Sequence, residues 1–326
     1  MRAAAIFGLG CSPHNLKPFQ DAESLDGESP KTDWRIGMPA VPDQADAVLL
    51  FGGDGTIHRH LSQLVKLKLP VLVVPTGSGN DFARALGLRS VRDSLAAWRV
   101  YCAGKNNARA IDLGVITPLE NASATPSTAS AMNDPARESA LATRYFCSVA
   151  GVGLDAEVSR RANHLPRWLR GHGGYALALA PTMFQFAPFP LKILMPGAMP
   201  GPETGWTIKK SQPTLLAAFA NTPTYGGGMK IAPSAQMDDG LLDVCIIGSV
   251  NPFKLACMFP TVYFGRHLNI REVDYFSAAR LRVETEHPHD LYADGEYVCR
   301  TPAEVNVQRA ALRVIVHPAE TSVQNG

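Results

Sequence analysis

No C-x-x-C pair occurs in this chain. Its six cysteines, Cys11, Cys102, Cys147, Cys245, Cys257 and Cys299, stand singly, without the spacing of a zinc site or a disulfide framework. Reduced, mostly buried thiols are therefore expected. Long apolar runs are also missing: no stretch approaches the roughly 18 residues a membrane-spanning helix needs. The opening MRAAAIFGLG breaks at Cys11 and Pro13, too early for a signal peptide, so the expected location is cytoplasmic. Charge is scarce as well. Charged residues make up 18% of the chain, its formal net charge is +2, and no run of Lys and Arg is interleaved with aromatics. That excludes a dedicated nucleic-acid binder. His58, His60, His287 and His289 fit no zinc spacing and read as surface or supporting residues. No repeat of fixed long period is visible.

What is present is a globular composition, 46% apolar over 326 residues, long enough for two domains. From Asp46 to Leu88 the chain reads twice as strand, glycine loop, helix, the grammar of a parallel α/β sheet. AVLLF (47–51) and VLVV (71–74) are the strands. Ile57, Leu61, Leu64 and Val65 recur at helical spacing after the first loop, and a short helix from Asp81 to Leu86 follows the second, stopping at Gly87. Met1 to Ala45 is short on helical periodicity. The segment 121–142, NASATPSTASAMNDPARESALA, reads as a mobile insertion. Its Asn-Ala-Ser triplet has no bearing on a cytosolic chain. From about residue 143, YFCSVAGVG, PLKILM, TLLAAFA, LLDVCIIG, RLRVETE, AEVNVQ and LRVIVH are short strand-like runs of a β-rich second domain. A helical stretch from Arg160 to Phe189 interrupts them.

The chemistry concentrates at the two glycine corners. The first is Gly52, Gly53, Asp54, Gly55 and Thr56, with Ile57 and His58 opening the helix. Such a loop lets backbone N–H groups approach an anion, and the helix start adds partial positive charge. It lacks the G-x-x-x-x-G-K-[ST] pattern of a P-loop. Asp54 beside phosphates would be repulsive without a divalent cation between them, which implies Mg²⁺; the alternative is a plain tight turn. The second corner is Pro75, Thr76, Gly77, Ser78, Gly79, Asn80 and Asp81. Two such corners on neighbouring parallel strands face one crevice and favour a nucleotide.

GGDGT followed by PTGSGNDFARALGL resembles the catalytic domain shared by diacylglycerol kinases, sphingosine and ceramide kinases and bacterial soluble lipid kinases. The resemblance continues through YFCSVAGVGLDAEV (145–158), NTPTYGGGMKIAPSAQMDDGLLDV (221–244), GRHL (265–268) and LYADGEYV (291–298). It implies a Rossmann-like α/β nucleotide domain packed on a β-sandwich, with the active site in the cleft. The boundaries expected are 1–113, completed by 309–326, for the nucleotide domain and 114–308 for the lipid-binding one.

The resemblance implies ATP and Mg²⁺, and catalysis by Asp54, Asp294 and Glu296. Glu296 is expected to take the proton of the accepting hydroxyl, and Asp294 to help Asp54 hold the cation; the two roles could be exchanged. By local sequence alone, Asp294-Gly295-Glu296 is a hairpin turn. A second, structural Mg²⁺ is implied at the side chain of Asp239 and the carbonyls of Gln236 and Leu241, where the alternative is again an Asp-Gly hairpin. Thr32 stands for the threonine that relatives place on the nucleotide. Gly151, Gly153 and Asp155 are expected on an inter-domain strand. The cations and apolar residues from Arg160 onward suit a lipid at a membrane surface, through peripheral contact at its inner face. A homodimer is the candidate protein assembly, and nucleic acid is not a partner. The competing readings are an NAD kinase, which also uses GGDGT, and a nucleotide or lipid sensor without turnover.

Overall fold

Small and β-branched residues set up a parallel sheet in the first part of the chain. The computed structural model describes residues 1–25, 32–77, 79–119, 143–164, 181–197 and 205–317. It divides into two compact units, Met1–Leu113 with Arg309–Gly326, and Gly114–Gln308. In the first unit, β1 (Arg2–Phe7) lies between β2 (Asp33–Ile36) and β3 (Ala47–Gly52), and β4 (Val71–Pro75) follows β3. All of these pairs are parallel. Every residue of β3 and β4 is buried, as expected of parallel strands covered by helices on both faces. Those helices are α1 (Lys17–Leu25), α2 (Asp54–Leu67), α3 (Asp81–Ala85) and α4 (Val91–Cys102).

Met1 to Ala45, short on helical periodicity, nevertheless forms β1, α1 and β2. Its signal is weak because three alanines carry the strand. Ala3, Ala4 and Ala5 are fully buried, and Phe19 of α1 packs edge-on against Phe51 with ring centroids 5.4 Å apart.

The second unit is built from antiparallel pairs. β5 (Ala108–Pro118) pairs with β6 (Arg144–Phe146). The long β9 (Trp206–Ala220) pairs with β7 (Val149–Gly153), β8 (Phe189–Pro196) and β10 (Leu242–Gly248). β11 (Val273–Ala278) extends β10, and β12 (Arg280–Thr285) bridges β8 and β15 (Ala303–Ile315). β13 (Asp290–Ala293) joins β7 to β14 (Glu296–Arg300). AEVNVQ and LRVIVH, read as separate runs, are one strand, β15, with Ala310 in the left-handed region at φ +50.

The inner half of β9 has two apolar faces. Ala217 and Phe219 join a core of strand residues such as Ile193, Leu281 and Val305. Leu216, Ala218 and Ala220 join a second core with α5 (Leu154–His164) and α6 (Pro252–Val262). Of the helical stretch expected from Arg160 to Phe189, Arg160 to His164 close α5 and residues 181–185 are helical, whereas Phe189 already opens β8; residues 165–180, like 121–142, lie outside the described residues. Helix α6 carried no expectation.

Candidate active site

In the first unit the two glycine corners stand side by side at the carboxyl ends of β3 and β4. The register continues past the strands, with the Thr76 N–H donating to the Gly52 carbonyl at 3.1 Å. A Cβ on Gly77 would lie 2.5 Å from Gly53 Cα, and one on Gly79 would lie 2.8 Å from an Asp54 carboxylate oxygen. Only glycine permits this approach. Asn80, itself at φ +54, closes the second corner: its side chain accepts from the Gly77 N–H at 3.1 Å and donates to the Gly77 carbonyl at 2.6 Å.

Asp54 ties the corners together. Its carboxylate accepts the N–H of Asp81 at 3.0 Å and of Phe82 at 3.1 Å, at the start of α3. The two amides fix the direction in which this carboxylate points at the corner. Asp81 is buried and paired with Arg84.

Thr56 packs under this ledge, where a Cβ on Gly52 would lie 2.6 Å from its hydroxyl oxygen. Gly55 and His58 are partly exposed at the start of α2. Ile57 turns into the core, 1% exposed, with its N–H bonded to the Gly53 carbonyl at 3.2 Å. That removes it from the groups able to face a ligand. Ser78 lies outside the described residues.

Thr32 is not brought to this site. The register of β2 on β1 and β1 on β3 sets it level with Met1 and Ala45, roughly 23 Å along the strands from the glycine corners at about 3.3 Å per residue. A third corner that sequence reasoning missed follows β1. The Gly8 N–H donates to the Phe51 carbonyl at 2.7 Å, and Cys11 Sγ lies 3.0 Å from Thr76 Oγ1. Gly8 and Gly10 after a short strand were the available signal.

In the second unit, Asp294 and Gly295 form the two-residue turn between β13 and β14, at φ +50 and +84. Two left-handed residues make a type I′ hairpin. The Asp294 carboxylate reaches back to the start of β7, accepting from the N–H groups of Ser148 at 2.8 Å and Cys147 at 2.9 Å. Asn221, fully buried after β9, donates to the Cys147 carbonyl at 3.1 Å. It is a second residue the reading passed over, and NTP was its signal. Glu296, next after the turn, is exposed. At the other expected cation site, Asp239 accepts the Leu241 N–H at 2.9 Å across Gly240 at φ +78, while Gln236 and Asp239 are exposed. This is an Asx turn, and it leaves one carboxylate oxygen outside the turn for a hard cation. Among the described residues no three His, Cys, Asp or Glu side chains cluster as a metal site would need.

The second unit also holds an apolar pocket with a cavity volume of about 40 Å³. Its walls include Leu216 of β9, Ile247 of β10, Met183, Met229, and Leu255, Met258, Phe259 and Val262 of α6. Asp155, 6% exposed, is the one acid on the wall, and burial pushes its carboxyl up to about 7. Its Oδ1 accepts the Ala156 N–H at 2.8 Å, and a Cβ on Gly151 would lie 1.8 Å from its Oδ2. Gly151 is therefore glycine to admit the Asp155 carboxyl.

Two family models match in succession: the diacylglycerol kinase catalytic domain over residues 16–116, and the YegS C-terminal NAD kinase beta sandwich-like domain over residues 148–316. A diacylglycerol kinase of Mycobacterium tuberculosis is 33% identical over 276 residues, 85% of this chain and 78% of that protein. The crystal structure of a diacylglycerol kinase from Bacillus anthracis superposes over 98% of this chain and 97% of its own, with a TM-score of 0.62 and 17% identity. An NAD kinase from Archaeoglobus fulgidus in complex with ATP does so over 98% and 94%, with a TM-score of 0.50 and 14% identity. The two structures speak for the fold alone.

Proposed function

Since the chain belongs to the diacylglycerol kinase catalytic domain family and is a lipid kinase, we propose that it transfers the γ-phosphate of ATP to the free hydroxyl of a diacylglycerol-like lipid. The observation that carries this reading is the pair of interlocked glycine corners with Asp54 between them. Backbone N–H groups and helix starts at one sheet edge suit a polyphosphate. The apolar pocket of the second unit supports an acceptor with acyl chains, since such walls gain by burying hydrocarbon.

In the proposed transfer, the lipid hydroxyl oxygen bonds to the γ-phosphorus while the bond from that phosphorus to the β–γ bridging oxygen breaks, releasing ADP. The hydroxyl proton goes to Glu296. Asp294 spends its oxygens on two backbone amides, which argues for it as the group that orients the hairpin and for Glu296 as the base. Asp54 would hold Mg²⁺, and the ion would supply charge neutralisation for the phosphates. The contact with membrane is peripheral in this reading, since no helix among the described residues is long and apolar enough to cross one.

Phosphate transfer from labelled ATP, measured over a panel of diacylglycerol, sphingoid base, ceramide and phosphatidylglycerol in mixed micelles, tests the proposal. Product from diacylglycerol is expected. Phosphorylation of NAD with no lipid product, or nucleotide binding with no transfer, would overturn it.

A further inference from the structure

Helix α6 is apolar on both sides. Its inward residues Leu255, Met258, Phe259 and Val262 line the pocket, as an amphipathic helix should. Its outward stripe should then be polar, yet it reads Phe253, Cys257 and Pro260 and continues into Phe264, all exposed. Phe253 is 77% exposed and Phe264 is 74% exposed. Phe184, 55% exposed, extends the patch by packing edge-on against Phe253 with ring centroids 6.1 Å apart. Aromatic groups held in water at this density mark an interaction surface.

The charge around the stripe is mainly positive. From Val244 to Arg271 the chain has no Asp or Glu, whereas Lys254, Arg266 and Arg271 lie in or beside the helix. Lys230 adds a cation at its far end, where the Lys230 N–H donates to the Val262 carbonyl at 3.1 Å. Lys254 is neutralised by Glu272 at 2.6 Å; Lys230, Arg266 and Arg271 are exposed.

We infer that the outer face of α6, with Phe184, Phe253 and Phe264 as wedges and Lys230, Arg266 and Arg271 as its rim, docks this protein on an anionic phospholipid bilayer. Apolar side chains entering the headgroup boundary beside cations attracted to anionic lipid is the mode of an interfacial helix. A two-fold contact between copies of the chain would set this rim against itself, which disfavours a second copy as the occupant. The same helix presents the pocket on its other side, so docking would bring the pocket to the bilayer from which an acyl-chain substrate comes. That last step rests on the lipid-kinase reading; the docking is measured separately.

The test is sedimentation of the full chain with vesicles of phosphatidylcholine alone or mixed with phosphatidylglycerol, beside turnover of a water-soluble short-chain diacylglycerol. Wild type is expected to prefer the anionic vesicles, less so as salt rises. The Phe253→Ser/Phe264→Ser variant is expected to lose about tenfold or more of that partition, as two aromatic rings leave the interface, with unchanged soluble turnover. A Phe253→Trp variant provides a second readout: its difference fluorescence against wild type should shift to the blue on adding anionic vesicles. Equal partition of wild type and the double variant, no anionic preference, or no fluorescence shift would overturn the inference. So would a dimeric wild type whose double variant is monomeric. Absence of turnover in wild type counts against the kinase reading, and the vesicle results still decide the docking.

Discussion

Replacing Asp155 by asparagine isolates the cost of a buried acid. Asp155 is 6% exposed, and burial raises its carboxyl from the ordinary 3.8 to about 7. That gap corresponds to roughly 4 kcal/mol. The sign follows from which state holds the proton. Between 3.8 and about 7 the folded protein keeps the proton that the unfolded chain releases. Stability contributed by this group is complete below the lower value and falls as pH rises through the upper one. Asparagine has the same outline, does not titrate, and keeps an oxygen for the Ala156 N–H. Denaturant unfolding of wild type and Asp155→Asn at about pH 4 and about pH 8 should therefore give a difference that moves in the variant's favour by up to roughly 4 kcal/mol at the higher pH. Parallel pH dependences would refute the reasoning, for they would mean that the carboxyl is solvated or compensated in the fold.

Asp54→Asn keeps one acceptor for the Asp81 and Phe82 amides, so unfolding should become easier by only about 1–2 kcal/mol, while turnover falls by about a hundredfold or more. Glu296→Gln should lower kcat by about 10²–10⁴-fold with little change in the KM for ATP; an unaltered kcat would remove the residue from proton transfer. Gly77→Ala puts a methyl 2.5 Å from Gly53 Cα and should weaken ATP binding, read by isothermal titration, while lipid-vesicle binding is unchanged. His267 is fully buried, bonds the Ile231 carbonyl at 3.2 Å and leaves Nδ1 without a partner, and burial lowers its pKa. The unfolded chain takes its proton first, so stability should fall as pH drops below about 6.5, and a His267→Gln variant should lack that component.

The sequence by itself determined the two glycine corners and the family. A short apolar strand, glycines and a helix of period 3.6 are consecutive in the chain, and the α2 residues Ile57, Leu61, Leu64 and Val65 are all buried as that period required. The short strand-like run PLKILM likewise became β8, with Leu191 and Ile193 in the core. Only the tertiary structure decided what depends on register and on distant neighbours. Asp54 accepts amides 27 and 28 residues away, Asp294 accepts amides 146 and 147 residues away, and the parallel register carries Thr32 to the amino ends of the strands, opposite the glycine corners. In α6 the apolar residues run right round the helix, so periodicity could not say which face is covered. The packing of one face on the pocket left Phe253 and Phe264 outside, because burial is a property of what surrounds a residue and period records only the spacing along its own helix.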